Sequence, residues 1–163
     1  MKKLNIGCGE LYEEGYINCD IRDDIKKDLY LDLTKFPYPF KNSEIDECYI
    51  HNVLPCIPNP LKVLKELIRI TKKRGKIIFV ETHSANYAIT SSFLKTTCNF
   101  TENTFDNAEV EWMGLSHLIK RNNSSFVYDN PWKKYIPFKR YLKIFLNGMY
   151  DKVRIELEVI KKK

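Results

Sequence analysis

No apolar run in this 163-residue chain approaches the roughly 18 residues needed to cross a bilayer. Met1-Lys2-Lys3 leads into only a few apolar residues, too few for a secretory signal, so a cytoplasmic chain is expected. Cysteine is sparse and odd in number. Cys8, Cys19, Cys48, Cys56 and Cys98 form no C-x-x-C pair, which argues against a disulfide framework and against a zinc ribbon. Cys48, His51 and Cys56 match no standard ligand spacing, so no metal is expected, and reduced, mostly buried thiols are the simpler reading. Internal repeats and linker-like stretches are also lacking. A single domain over 1–163 is therefore expected, long enough to bury about 70% of its unfolded surface. The formal net charge of +6 permits an anionic partner such as nucleic acid, but no aromatic–basic motif of a known RNA reader accompanies it.

What is present is concentrated near the start. Leu4-Asn5-Ile6-Gly7-Cys8-Gly9, followed by Tyr16-Ile17-Asn18-Cys19-Asp20, reads as a short strand, a tight glycine loop and a second strand ending on a carboxylate. In an open α/β sheet this order brings the glycines and the acid together at the carboxyl edge, where a nucleoside ligand binds. Asp20, an acceptor only when ionised, suits the paired hydroxyls of a ribose. A dinucleotide fingerprint would need a third glycine, a full helix and an acid about 20 residues downstream. Here Glu10-Leu11 fills the third-glycine region and Asp20 comes much sooner, so NAD is disfavoured.

Further strands are expected over 29–33, closing on a carboxylate, over 45–50, ending at His51-Asn52, and over 76–80, from which Glu81-Thr82-His83 emerges. Phe36-Pro37-Tyr38-Pro39-Phe40 cannot be helical, because each proline biases its predecessor to extended geometry. That aromatic loop either packs on a flat ring or seals the core. Asn59-Pro60 starts a helix, with a capping side chain before a proline at the first helical position. Leu61, Leu64, Leu67, Ile68 and Thr71 make its apolar face, and Gly75 is expected to stop it. The rhythm predicts a parallel sheet, although residues 10–15 are few for a parallel crossover, so the first helix must be vestigial.

The second half is looser. Residues 84–99 read as loop or lid, 101–105 as a short helix capped by Thr101, 109–120 as a strand and 122–135 as a second loop. Pro137 opens an amphipathic helix with Phe138, Tyr141, Leu142, Phe145 and Leu146 on one face. It packs on the sheet or, with Lys139, Arg140 and Lys143 opposite, anchors at a membrane surface; the width of the stripe favours packing. Val153, Ile155, Leu157 and Val159 alternate with Arg154, Glu156 and Glu158, the pattern of a half-exposed last strand.

The order Leu-Asn-Ile-Gly-Cys-Gly, then Gly15-Tyr16-Ile17-Asn18-Cys19-Asp20, then Asp32-Leu33 with Tyr38-Pro39-Phe40, resembles the small class I S-adenosylmethionine-dependent methyltransferases of the type 11-like family. Ser43-Glu44-Ile45-Asp46-Glu47 through His51-Asn52-Val53-Leu54 is similar to their fourth-strand motif, and the likeness continues to Ile77. The resemblance implies a Rossmann-like α/β fold: a mostly parallel twisted sheet, an antiparallel C-terminal strand and an abbreviated first helix. It implies a cofactor-binding half over 1–83, an acceptor-site or lid insertion over 84–136, and a closing helix and strand over 137–163. Gly7, Cys8 and Gly9 would line the amino-acid end of S-adenosylmethionine, and Asp20 would bind its ribose, with Ile21 beside the adenine. Asp32 and Leu33 would meet the adenine edge, and His51 would lie close to the sulfonium. The chain departs from the family in its missing third glycine, in Lys73-Arg74-Gly75 where Pro-Gly-Gly is commoner, and in Glu81-Thr82-His83 where a proline often stands.

Methyl transfer from a sulfonium needs donor and acceptor held in line and dry, and a base only where the acceptor must lose a proton. His51, His83 and Glu81 are the candidates for that base, each following a strand at the expected ligand edge. A small-molecule or macromolecular methyl acceptor is expected. The alternative reading is a degenerate, non-catalytic module of the same fold that binds RNA or another anion through its basic surface.

Overall fold

The computed structural model describes residues 1–84, 98–137 and 150–161. The helix expected over 138–146 and most of the loop expected over 84–99 lie outside them. Among the described residues seven strands form one sheet: β1 (Lys3–Ile6), β2 (Ile17–Asp20), β3 (Leu29–Tyr30), β4 (Ile45–His51), β5 (Thr71–Thr82), β6 (Ile119–Val127) and β7 (Lys152–Val159). Their order is β3-β2-β1-β4-β5-β7-β6. Strands β1 to β5 run parallel to one another, whereas β7 runs antiparallel to both β5 and β6. The order reverses between β1 and β4, and such a switch point opens a crevice beyond the carboxyl ends of the strands. The mostly parallel sheet with an antiparallel C-terminal strand is thus the architecture expected from the sequence.

Alternation divides the sheet into two chemically different faces. Leu4, Ile6, Cys48, Ile50, Ile77, Phe79, Ile155 and Leu157 point to one side and form a single apolar core with Val63, Leu64, Leu67 and Ile68 of α1 (Pro60–Ile70). The other side carries Lys3, Asn5, Asn18, Glu47, Tyr49, Lys76, Ile78, Arg154 and Glu156, in register across the strands.

The first crossover contains no helix. Asn5 and Asn18, paired in register and fully buried, share a 2.9 Å side-chain hydrogen bond. Asn5 Nδ2 also donates to Leu11 O, Asn18 Oδ1 accepts from Glu13 N, and Asn18 Nδ2 donates to Glu13 O. Two amides thereby satisfy the backbone of a loop where a helix would have satisfied its own.

Helix α1 begins as expected, with the Asn59 side chain accepting from Lys62 N and proline at the first position. It does not run to Gly75. It ends at Ile70, because Thr71 is already extended and paired with Ile45 of β4. Gly75 serves another purpose: a Cβ there would lie 2.6 Å from Thr71 Cγ2 and 2.9 Å from the Asp46 and Lys72 carbonyl oxygens. Arg69 on the polar side of α1 bonds the carbonyls of Tyr38 and Phe40, and Glu66 accepts from Tyr38 N. Tyr38 is buried and donates to Leu33 O, so the proline-rich loop seals the core.

Three expectations in the second half are corrected. Residues 101–105 form a turn, with Asn103 N bonded to Thr101 Oγ1 and Thr104 N to Thr101 O. Of the strand expected over 109–120 only Ile119 and Lys120 are extended, as the start of β6; the segment begins instead with a short helix, α2 (Asn107–Trp112), capped by Asp106, whose carboxylate accepts from Glu109 N. The polar run 122–127, read as loop, is strand, because pairing with β7 overrides its low propensity. No helix among the described residues is long and apolar enough to cross a membrane.

Candidate functional site

The glycine loop leaves β1 at its carboxyl end, and the amides of Gly7 and Cys8 both donate to Cys19 O of β2. Gly7 lies at φ +66°, and a Cβ there would stand 2.5 Å from Val53 Cγ2. Only glycine lets Val53, on the turn after β4, close against β1. Gly9, at φ +51°, faces open space instead. Asp20 ends β2 nearly buried; its Oδ2 accepts from Gly9 N and its Oδ1 from Arg22 N, both at 2.9 Å. These bonds fix the carboxylate yet use only two of about four acceptor sites, leaving capacity for a ligand's hydroxyls.

Asp32 stands two residues beyond β3, since the strand stops at Tyr30 rather than running to 33. Its Oδ1 accepts from the Thr34 hydroxyl and amide, and those bonds hold its carboxyl below the usual range. Asp20 and Asp32 line one cleft of about 220 Å³ with Gly7, Ile21, Leu33 and Val53. Leu31, Thr34, Asn52, Cys56 and Ile57 complete its walls. The cleft therefore joins two carboxylates on one side to an apolar slot beside them, the chemistry that a ribose and a flat base require. Cys8 is buried beside it, and burial, with Asp20 adding, pushes its thiol up.

Sequence reasoning assigned no role to Thr34, Asn52, Val53, Cys56 or Ile57. Asn52 carried a signal, being an asparagine directly after a strand. It occupies the left-handed region at φ +53°, and its Oδ1 accepts from the Thr82 hydroxyl. Val53 fell within the stretch similar to the fourth-strand motif, but nothing in the sequence marked its approach to Gly7.

The three base candidates diverge. His51 ends β4 on the face opposite α1, its ring 6.3 Å from that of Tyr49. Its Nε2 is buried without a hydrogen-bond partner among the described residues. Burial first, then Lys152, lowers its pKa, with Asp129 opposing, so the imidazole is neutral at neutral pH. Glu81, near the end of β5, points to the α1 side with no solvent exposure, and burial pushes it up to about 8. His83 is buried, with Nε2 2.9 Å from Glu102 Oε2 and its ring beside Tyr150 and Phe126. Cys8, Cys19, Cys48 and Cys56 are free thiols; the first three are buried, while Cys56 is exposed at the cleft.

Residues 20–79 match the model of a methyltransferase domain family, a span covering both carboxylates, the turn after β4 and α1. Solved structures of similar fold include a chain in the complex between the Haloferax volcanii Trm112 methyltransferase activator and a methyltransferase (TM-score 0.65, 12% identity, 99% of this chain and 83% of that one). Another is an S-adenosylmethionine-dependent methyltransferase from Archaeoglobus fulgidus (TM-score 0.64, 15% identity, 96% and 85%). A third is the plantazolicin methyltransferase BpumL in complex with SAH (TM-score 0.59, 15% identity, 98% and 76%). The search of curated proteins finds no match.

Proposed function

We propose that this chain, which carries a methyltransferase domain on the class I S-adenosylmethionine-dependent methyltransferase fold, binds S-adenosylmethionine in the cleft between Asp20 and Val53 and transfers its methyl group to an acceptor. The observation that carries the reading is the convergence of Gly7, Asp20, Ile21, Asp32 and Leu33 on one crevice at the β1–β4 switch point. Asp20 takes the ribose hydroxyls, held ready by the Gly9 and Arg22 amides. Ile21 and Leu33 flank the adenine, and Asp32, fixed by Thr34, accepts from its exocyclic amine. Gly7, Cys8 and Gly9 line the amino-acid end; Gly9 offers backbone with open space above it.

When bound, the cofactor supplies a methyl group already activated by positive sulfur. The chain's own task is to position the acceptor, exclude water and, for a hydroxyl acceptor, take one proton. His51 suits that last role best of the three candidates, being neutral and placed directly before the cleft residues Asn52 and Val53. His83 is engaged by Glu102, and Glu81 is sealed from solvent. The acceptor side is assigned to residues 84–136, whose described part lines an apolar pocket of about 140 Å³ through Phe100, Phe105 and Met113, together with Leu54 of the turn after β4.

Titration calorimetry with S-adenosylhomocysteine tests the reading. The wild-type chain should bind, and Asp20→Ala should weaken binding at least about 100-fold, the loss of charge-assisted bonds to two hydroxyls. No heat at high micromolar ligand overturns the reading. Salt-dependent binding of RNA that survives Asp20→Ala would support instead a basic module without the transferase chemistry.

A further inference from the structure

The turn after β4 has an unusual way of satisfying its backbone. Leu54–Cys56 is a single 3₁₀ turn, closed by Cys56 N to Val53 O at 3.0 Å and Ile57 N to Leu54 O at 3.2 Å. The first amides of any helical turn lack partners within it and normally find a capping side chain. Pro55 contributes no N–H. Val53, at the capping position, has no acceptor to offer and makes no side-chain cap bond. Its φ of −118° and ψ of −47° also lie outside the extended geometry that a self-capping serine or aspartate adopts.

Valine is required there for another reason. Its side chain closes on Gly7, and Val53 forms the cleft wall facing Asp20 and Asp32. The position cannot supply both an apolar wall and an acceptor, so the acceptor comes from elsewhere. Glu81 Oε1 accepts from Val53 N at 3.2 Å and from Leu54 N at 3.1 Å, reaching across from the neighbouring strand. Glu81 has no solvent exposure, and its second oxygen has no hydrogen-bond partner among the described residues. One buried oxygen thus holds the segment that carries Asn52, Val53, Cys56 and Ile57 along the cleft.

We propose that Glu81 is a positioning residue: a remote cap whose Oε1 fixes the Val53–Leu54 turn and, through it, the cofactor-binding wall, with no proton transferred to or from substrate. The role needs an acceptor oxygen at full glutamate length and needs no charge. Its effect on ligand affinity rests on the cofactor reading above; its effect on the turn does not.

The experiment compares wild type, Glu81→Gln, Glu81→Asp and Glu81→Ala by S-adenosylhomocysteine calorimetry and by amide hydrogen exchange at Val53 and Leu54. Glutamine keeps the acceptor and should bind within about threefold of wild type, with both amides protected. Aspartate, shorter by one methylene, and alanine should weaken binding about tenfold or more and speed exchange at the two amides by a similar factor. Should alanine fail to fold, aspartate against glutamine makes the same comparison. Glutamine behaving like alanine, or equal protection of the two amides in all folded variants, overturns the proposal. If wild type binds no S-adenosylhomocysteine, the cofactor reading fails while the exchange pattern still decides the role of Glu81.

Discussion

On the side that α1 covers, β4, β5 and β7 present Ile50, Phe79 and Ile155, each with at most 1% of its surface in contact with solvent. On the opposite side the same three strands present Tyr49, Ile78, Arg154 and Glu156. The first face depends on an amphipathic helix, because apolar area gains stability only when something removes it from water. On the second face, polar side chains of neighbouring strands pair with one another. Lys3 pairs with Glu47 at 3.5 Å and lies over the Tyr16 ring, Lys76 pairs with Glu156 at 3.0 Å, and the Tyr16 hydroxyl bonds Glu47. The Asn5–Asn18 pair does the same for the first crossover. This difference shows how two parallel strands, which are usually joined through a helix, can be joined by a short loop here.

The comparison breaks first at Phe79. Its ring packs 5.4 Å from Phe105 and 6.2 Å from Phe100, at the centre of the covered face. Phe79→Ala should cost about 3–5 kcal/mol, read as a lower midpoint of urea unfolding at unchanged slope. A loss below about 1 kcal/mol would mean that the two faces carry similar weight.

The acids sharpen the contrast. Glu158, on the open face, is held below its ordinary range by Asn122 and Lys120. Glu81, on the covered face, is raised by burial from the ordinary 4.5 to about 8, against the two amide bonds that lower it. Between those values the folded chain holds a proton that the unfolded chain has released. The unfolded state therefore binds fewer protons, and stability falls as pH rises through this window. Relative to Glu81→Gln, wild type should lose on the order of a few kcal/mol between pH 4.5 and 8. Unfolding both proteins at a series of pH values checks this; a difference independent of pH would show that Glu81 titrates as in water.

Legibility followed the same division. Strands read from continuous or strictly alternating apolar residues were found nearly in place: 45–50 against Ile45–His51, and the alternation of 153–159 within Lys152–Val159. The glycine loop and Asp20 were legible because their chemistry is local. The limits of α1 were not, since its last turn is decided by Thr71 pairing with a strand 26 residues earlier in the chain. The helix Asn107–Trp112 was missed although Asp106 and Glu109 spell a capping pattern, and 122–127 was missed because four polar residues gain strand geometry only from β7. At the site, both carboxylates could be read, while Val53 and its support by Glu81 could not: the first matters through a contact with Gly7, the second through hydrogen bonds to backbone, and neither leaves a pattern in composition.

The smallest expected effect tests the open face itself. Lys76 and Glu156 pair diagonally across β5 and β7 beside Ile78, with the lysine about half exposed and the carboxylate more sheltered. A pair in that setting gains little net energy, because water already solvates the charges and ordering two long side chains costs entropy. A double-mutant cycle of Lys76→Ala and Glu156→Ala should give a coupling below about 1 kcal/mol, shrinking further in high salt. Removal of either partner should also leave Ile78 covered, since Tyr49 and Tyr16 line the same hollow. A coupling of several kcal/mol that resisted salt would place the pair in a dry environment. The charges would then act as buried specificity elements rather than as a solvated pair at the surface.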